Sequence, residues 1–553
     1  MSAYRSPIFE IADRYTNEIV KFSPILATDL GVPGFETKLD DFSLAANKKS
    51  TAYQKKILVE LLAMNPIDEI DRIAKTVMVE RISSDIQTAD SLEEYAIFGA
   101  IQSPVSSIRQ VFELMEHESK DDFLNIALRL REVPTAFESW KSLLLDVAAA
   151  GKTAARRQAL GVADQLKVHA DGSYQIFVKS IDPQGKYPEL MAGALIAQQA
   201  CLELEKWMRS TYVPLTNSTD AVGIERYEIW AQKYTGAKLN LREVYEWGIA
   251  DLAQINERMW RAAAKIKPEA KSLREVADFL ESDPKYVIHG TDALLAKLRE
   301  FIDAAVEQLD GIHFDIDPRI KFCDARLAPE GASSAAYYIQ PSEDLSRPGT
   351  TWFPTLGKDE FSFWHIASTW YHEALPGHHL QCATVIIEKE RLSRFQISGA
   401  WISGYGEGWA LYAERLMDEL GAFSDPGFEM GYLSGQALRA ARIVVDIGMH
   451  LGYQDFDGEI WNAESAYKIL YERALLDEDS SRDEVDRYLA IPGQAISYKV
   501  GERFWLEARE AAKTRLGDRF DLKAFHSFAL RIGPMGLDAF ASELANWEND
   551  RSN

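Results

Sequence analysis

The sequence predicts a mainly α-helical fold with one small β-rich patch, and three observations predict it. Long segments repeat apolar residues every three or four positions, as in KKILVELLAMNPIDEIDRIAKTVMVERI (55–82) and LREVYEWGIADLAQINERMWRAAAKI (241–266). That is the period of one helix face. Short polar joints carrying Pro or Gly separate such segments, as in STYVPLTNSTD (210–220). One region, about 311–356, breaks the pattern with short strand-like runs set between Pro, Gly and Ser. Of 553 residues, 46% are hydrophobic and 11% aromatic, enough to bury a large core and to argue against global disorder.

In chain order, helical segments fill an N-terminal region, 1–230, and resume in a second region, 231–553, that contains the β patch. Within the patch, IHFDID (312–317), IKFCDA (320–325), SAAYYIQPS (334–342) and TTWFPTL (350–356) read as strands. The patch ends just before the helical run carrying His372. An exposed strand there can hold an extended peptide by backbone hydrogen bonds, whereas a hairpin packed on helices serves structure alone.

Composition bounds the partners. A formal net charge of −24 gives an acidic surface that repels phosphate backbones, so nucleic acid is not expected. Cys201, Cys323 and Cys382 are odd in number and widely spaced, and suggest no disulfide framework. MSAYRSPIFEIADRYTNEIV lacks a cationic stretch followed by an apolar run, and no apolar stretch approaches the roughly 20 residues that span a bilayer. A cytoplasmic protein without a membrane partner is the expectation.

The chemistry centres on STWYHEALPGHHLQ, Ser368 to Gln381. His372 and Glu373 begin like a zinc-peptidase signature, but Pro376 stands where the second histidine belongs. Helix positions i and i+4 differ by ~40° around the axis and ~6 Å along it, so both can grip one ion. His379, at i+7, is about 10.5 Å along an ideal helix and too far. Pro376 and Gly377 can bulge the helix and return His378 to the i+4 place. Later, SGYGEGWALYAERLMDEL (403–420) offers Glu407 and, seven residues on, Glu414. A carboxylate there completes a two-histidine zinc site that keeps one position open. Glu407 is the first candidate because its glycines allow close approach. Glu414 is the second, or orients a ligand histidine from behind. Glu373, beside the metal, is the candidate general base.

Further along, Arg439, Arg442, Asp446 and His450 recur on one face of ALRAARIVVDIGMHLGY. Read as part of a cleft, that face makes His450 a candidate catalytic group and Arg442 a grip for a substrate carboxylate. Arg347 is a second such grip, and Tyr338 a further substrate contact. His379 and Asp446 are alternative ligands or supports of one. Tyr498, after the Pro-Gly turn of IPGQAISYKVGERF, is placed to stabilise an oxyanion.

HEALPGHHLQ, GYGEGWALYAE, RIVVDIGMH and PGQAISYKVG together resemble the bacterial domain-of-unknown-function 885 family, and YYIQPSEDLSRPGT fits as well. FSPILATDLG and FDLKAFHSFALRIG extend the resemblance over most of the chain. It implies a fold similar to the gluzincin metallopeptidases, whose third zinc ligand is glutamate. It also implies His372 and His378 as ligands, Glu373 as base, and Glu407 in the place of a Glu-x-x-Ala ligand. The expectation is a zinc-dependent metallopeptidase with one zinc per chain, acting on short peptides in a deep central cleft covered by residues 1–230. Manganese or cobalt could take the zinc position. The same centre acting on a non-peptide amide, and a helical binding protein that has lost its metal, are the alternatives. Oligomeric state and exo- versus endopeptidase action stay open.

Overall fold

A computed structural model describes residues 5–328 and 335–548. Helices dominate it, and their starts carry the expected caps. The longest, α1 (Lys120–Ala149), begins at Ser119, whose hydroxyl accepts from the Asp122 amide while Asp122 returns the bond. It packs along α2 (Pro188–Trp207), and the two anchor one apolar core that also takes in residues between 89 and 178. A second and larger core unites segments from both ends of the chain, from Ile8–Ile82 and from Tyr227 onward. Its axis is α3 (Leu241–Ile266), whose buried Leu241, Val244, Tyr245, Gly248, Leu252, Ile255 and Met259 follow the three-and-four spacing of the sequence.

The β patch is smaller than its sequence implies. β1 (Val287–His289) pairs antiparallel with β5 (Glu360–Ser362), a ribbon of three-residue strands too short to leave a period in the sequence. β2 (Cys323–Leu327), β3 (Tyr337–Ile339) and β4 (Gly349–Phe353) form a sheet in the order β2-β4-β3, parallel between β2 and β4 and antiparallel between β4 and β3. The expected strand IHFDID is instead a turn. Leu309 O accepts from the amides of His313 and Phe314, and Asp310 Oδ1 from Ile316 N. The alternation is real, since Phe314 and Ile316 are buried and Ile312 is exposed, but among the described residues no strand pairs with the segment beyond one bridge, Asp310 to Phe314. Part of the patch, 329–334, lies outside the described residues.

The chain then enters the helices that form the site. They are α4 (Phe363–Glu373), α5 (His378–Ile387), α6 (Ser403–Glu419), α7 (Pro426–Leu451), α8 (Glu478–Ala490) and α9 (Ser497–Leu516). α7 lies between α3 and α4, and α9 packs along α6. All three cysteines are free thiols and buried. Among the described residues, no helix is long and apolar enough to cross a membrane.

Candidate metal centre

His372 ends one helix and His378 begins the next. The sequence predicts a bulge within a single helix; the structure has a break. Ala374 leaves the helical region, the Leu375–Pro376 peptide is cis, and α5 starts at His378. Gly377 makes the tight return possible. A Cβ on it would stand 1.9 Å from His372 O, so no other residue fits. The freed carbonyls of Pro376 and Gly377 accept from the indole Nε1 of Trp409 on α6, at 2.9 and 3.1 Å. The outcome is the one a bulge would give: the two imidazoles stand side by side, centroids 4.8 Å apart and perpendicular.

Glu407 comes from α6, which meets α9 at a contact of glycines. A Cβ on Gly408 would lie 2.5 Å from Gly501 Cα, and one on Gly501 would lie 2.1 Å from Gly404 O. The backbones therefore touch, and Glu407 and Tyr498 arrive at the same place from two helices. Glu407 Oε2 is 3.3 Å from His372 Nε2 and 3.5 Å from His378 Nε2. The three donors lie within 4.8 Å of one another.

Ligands of a tetrahedral zinc ion, each 2.0–2.1 Å from it, stand roughly 3.3 Å apart. Two edges of the cluster already have that length, so the donor set fits such an ion. Glu414 does not compete for it. Its Oε1 accepts from Nδ1 of His372 at 2.8 Å, on the far side of the ring, and its Oε2 accepts from Ser368 Oγ at 2.5 Å. That bond fixes the orientation of the His372 ring and leaves its Nε2 facing Glu407.

Burial alone would make Glu407 hard to ionise, yet the two imidazoles beside it hold its carboxyl well below the ordinary range. Burial likewise opposes charge on His372, but hydrogen bonds to Glu407 and Glu414 raise it to about 9. The cluster favours a positive charge between its members. Glu373 is 9% exposed, and burial raises its carboxyl despite the opposing pull of His378 and His372. Its carboxylate takes no hydrogen bond from any described residue.

Other predicted residues divide between this place and elsewhere. The half-buried Tyr498 ring lies nearly parallel to His372, centroids 6.4 Å apart, and the Arg442 guanidinium sits 4.4 Å from its centre. Arg442 itself is not a free grip for substrate. It is buried, with Nη2 2.9 Å from Glu484 Oε2 and Nε donating to Tyr488, so its charge is already met. His450 is not at the metal centre either. Its Nε2 donates to Tyr488 O at 3.0 Å and its Nδ1 accepts from the Val222 amide at 3.4 Å. Asp446 accepts from Tyr227 Oη and Gly493 N, and burial raises its carboxyl to about 7. It ligates nothing with His372.

His379 points away from the cluster. Nε2 donates to Ile320 O at 2.8 Å and Nδ1 accepts from Tyr338 Oη at 3.0 Å, which binds α5 to the β sheet. Tyr338 is thereby a brace, its hydroxyl committed to His379 and not to a substrate. Arg347, by contrast, is exposed and lines a cavity of 510 Å³ with Gln381, Cys382, Trp401 and Tyr405. Two contributors escaped the sequence reading. Ser368 lies one turn before His372 on the same face, which the i, i−4 spacing could have flagged. Trp401, 5.9 Å from the His378 ring, announces itself only as a tryptophan just before the glycine-rich entry of α6.

A family model described as "Bacterial protein of unknown function (DUF885)" matches residues 24–544. No curated protein matches the sequence. Among solved structures, one described as "the putative lipoprotein from Colwellia psychrerythraea" is similar over 97% of this chain and 98% of its own, with TM-score 0.84 and 22% identity. Another, "a putative lipoprotein of unknown function from Shewanella oneidensis", is similar over 98% of this chain and 100% of its own, with TM-score 0.77 and 17% identity. These likenesses establish a shared fold. Their lipoprotein descriptions also overturn the cytoplasmic expectation, which rested on the absence of a recognisable leader and not on any positive signal.

Proposed function

We propose, from the premise that this chain belongs to the DUF885 family of bacterial proteins, that it is a metal-dependent hydrolase of short peptides with zinc held by His372, His378 and Glu407. One observation carries the reading. Two buried imidazole nitrogens converge on a single carboxylate oxygen at the separations that ligands of one zinc ion adopt. The ligand order, two histidines and then a glutamate from a later helix, is that of the gluzincin metallopeptidases, and the proposal extends that resemblance to the body and its cleft.

Bound there, a divalent ion supplies Lewis acidity that acidifies water and polarises a carbonyl. The chain's own groups do the rest. Glu373, adjacent to His372 and unengaged by other side chains, takes a proton at its carboxylate and returns it to the departing amine. Its raised affinity for protons suits both halves of that task. Tyr498 donates to the oxygen on which negative charge develops, with its ring held against His372 by Arg442. Glu414 keeps His372 oriented. A peptide fits better than a small amide because, among the described residues, β3 pairs with β4 alone and no strand is paired to its other edge, where an extended backbone can add. The neighbours' description favours a lipoprotein setting for this activity.

Metal content by plasma mass spectrometry, on protein purified without metal-affinity tags, tests the centre. About one zinc per chain in wild type and His379→Ala, and none in His378→Ala, is the expected result. Wild type that takes up no metal when zinc is offered would leave a binding protein as the better reading. Zinc with activity on acylated amino acids but not on peptides would favour an amidohydrolase.

A further inference from the structure

The cavity beside the metal centre holds one cation with nothing to hold. It is lined by Asp29, Gln340, Glu343, Arg347, Gln381 and Trp401 among others, and its 510 Å³ falls in the range of about 300–1,000 Å³ typical of small-ligand sites. It adjoins the cluster directly. Trp401 packs on His378, and Cys382, also in its wall, lies one turn along α5 from His378, within the fields of Glu407 and Glu373.

Arg347 is the only cation among the lining residues. Its guanidinium forms no ion pair with any described residue, and its side chain is exposed to the cavity. The contrast with a larger cavity of 650 Å³ at the far end of α7 is instructive. There Arg157 meets Asp220 and Asp486 at 3.0 and 3.2 Å, and Arg482 reaches Glu464 at 4.0 Å.

The loop that presents Arg347 is braced independently of the guanidinium. Ser342 Oγ accepts from the Arg347 amide, Ser342 N donates to Arg347 O, and Asp344 Oδ1 accepts from Ser342 and from Ser346. Deeper in the wall, Gln381 is 2% exposed and its side-chain oxygen has no partner, while its amide nitrogen donates to Tyr405 O. A buried acceptor left unpaired in a cavity wall costs stability unless a ligand N–H satisfies it. The two exposed or half-buried carboxylates, Asp29 and Glu343, flank the cation without pairing with it.

We propose that this cavity is the subsite for the C-terminal end of the substrate. Arg347 receives the free α-carboxylate as a forked pair, Gln381 accepts from a backbone N–H, and Trp401 covers the side chain between them and the metal. The substrates are then short peptides with a free C-terminus, cut close to that end. This rests on the hydrolase reading, and its test separates the two. Wild type, Arg347→Ala and Arg347→Lys, all zinc-loaded, are assayed on tetrapeptides randomised at two positions, supplied as free acids and as C-terminal amides. Calorimetry with the same two pools measures binding without turnover.

Wild type is expected to favour acids over amides by about tenfold or more in kcat/KM, through KM. Arg347→Ala should lose about tenfold more on acids than on amides, with Arg347→Lys intermediate because a point charge lacks the fork. Equal kcat/KM for both pools in wild type, or equal losses in the variant, would overturn the subsite while leaving the hydrolase intact. If neither pool is cut, the hydrolase reading fails, and calorimetry still decides: acid-selective binding lost in Arg347→Ala supports the subsite, and binding blind to the carboxylate sinks it.

Discussion

The candidate metal centre and the His450 cluster are built from the same parts, yet only one brings three potential metal donors together. Each buries histidine beside carboxylate on a helix. At His450 both ring nitrogens are committed to the backbone, one to Tyr488 O and one to Val222 N, and Asp446 Oδ2 accepts from Tyr227 and Gly493. His526 is closed in the same way, between Tyr412 Oη and His313 O. At the metal centre the ring nitrogens of His372 and His378 face a carboxylate that both must share. A buried histidine whose bonds end on backbone or phenol is structure. A pair whose ring nitrogens converge on one carboxylate is a candidate site.

The sharpest way to break that distinction is to exchange the two kinds of histidine. His378→Ala should abolish metal binding with the fold retained, whereas His450→Gln should keep about one zinc per chain and lower the melting temperature. Zinc retained by the first variant, or lost from a still-folded second, would reverse the comparison.

Glu373→Gln should retain zinc and lose about 10²–10⁴ in kcat, the usual worth of a positioned acid–base group, as measured by single-turnover peptide hydrolysis. Glu414→Gln acts only through His372. It should weaken zinc by about 10–100-fold in a chelator competition, since it removes the carboxylate that orients the ligand.

The smallest effect concerns a closed histidine. Burial lowers His526 to about 3, against about 6.5 in an unfolded chain. The unfolded state therefore binds the extra proton first as pH falls, and stability is present above about 6.5 and lost below it. Denaturant titrations should find wild type losing up to about 1.4 kcal/mol per pH unit relative to His526→Gln between pH 6 and 4. Parallel curves for the two proteins would mean that His526 is less closed than the structure has it.

Much of the candidate centre was legible in the chain because its three donors lie close in sequence or beside unusual glycines. HEALPGHH and EGWA named the three donors, and the apolar period named the helices. What stayed hidden depends on partners remote in sequence. Whether Glu407 or Glu414 joins the donor cluster is decided by which side of the His372 ring each reaches. Arg442 and Arg347 look alike in sequence, but Glu484 neutralises the first and no described group neutralises the second. IHFDID has the alternation of a strand but finds no strand to pair with among the described residues. Pro376 and Gly377 announced a disturbance without saying that one helix would become two.

The glycine crossing of α6 and α9 constrains how relatives of this protein can diverge. Even one methyl group at 408 or 501 must push the two helices apart, and with them Glu407 from Tyr498. Loops around the cavity can drift, while the distance between the Glu407 carboxylate and the Tyr498 phenol cannot drift in small steps. A lineage that gave up either glycine would have to rebuild the crossing at once or lose the meeting of Glu407 with Tyr498.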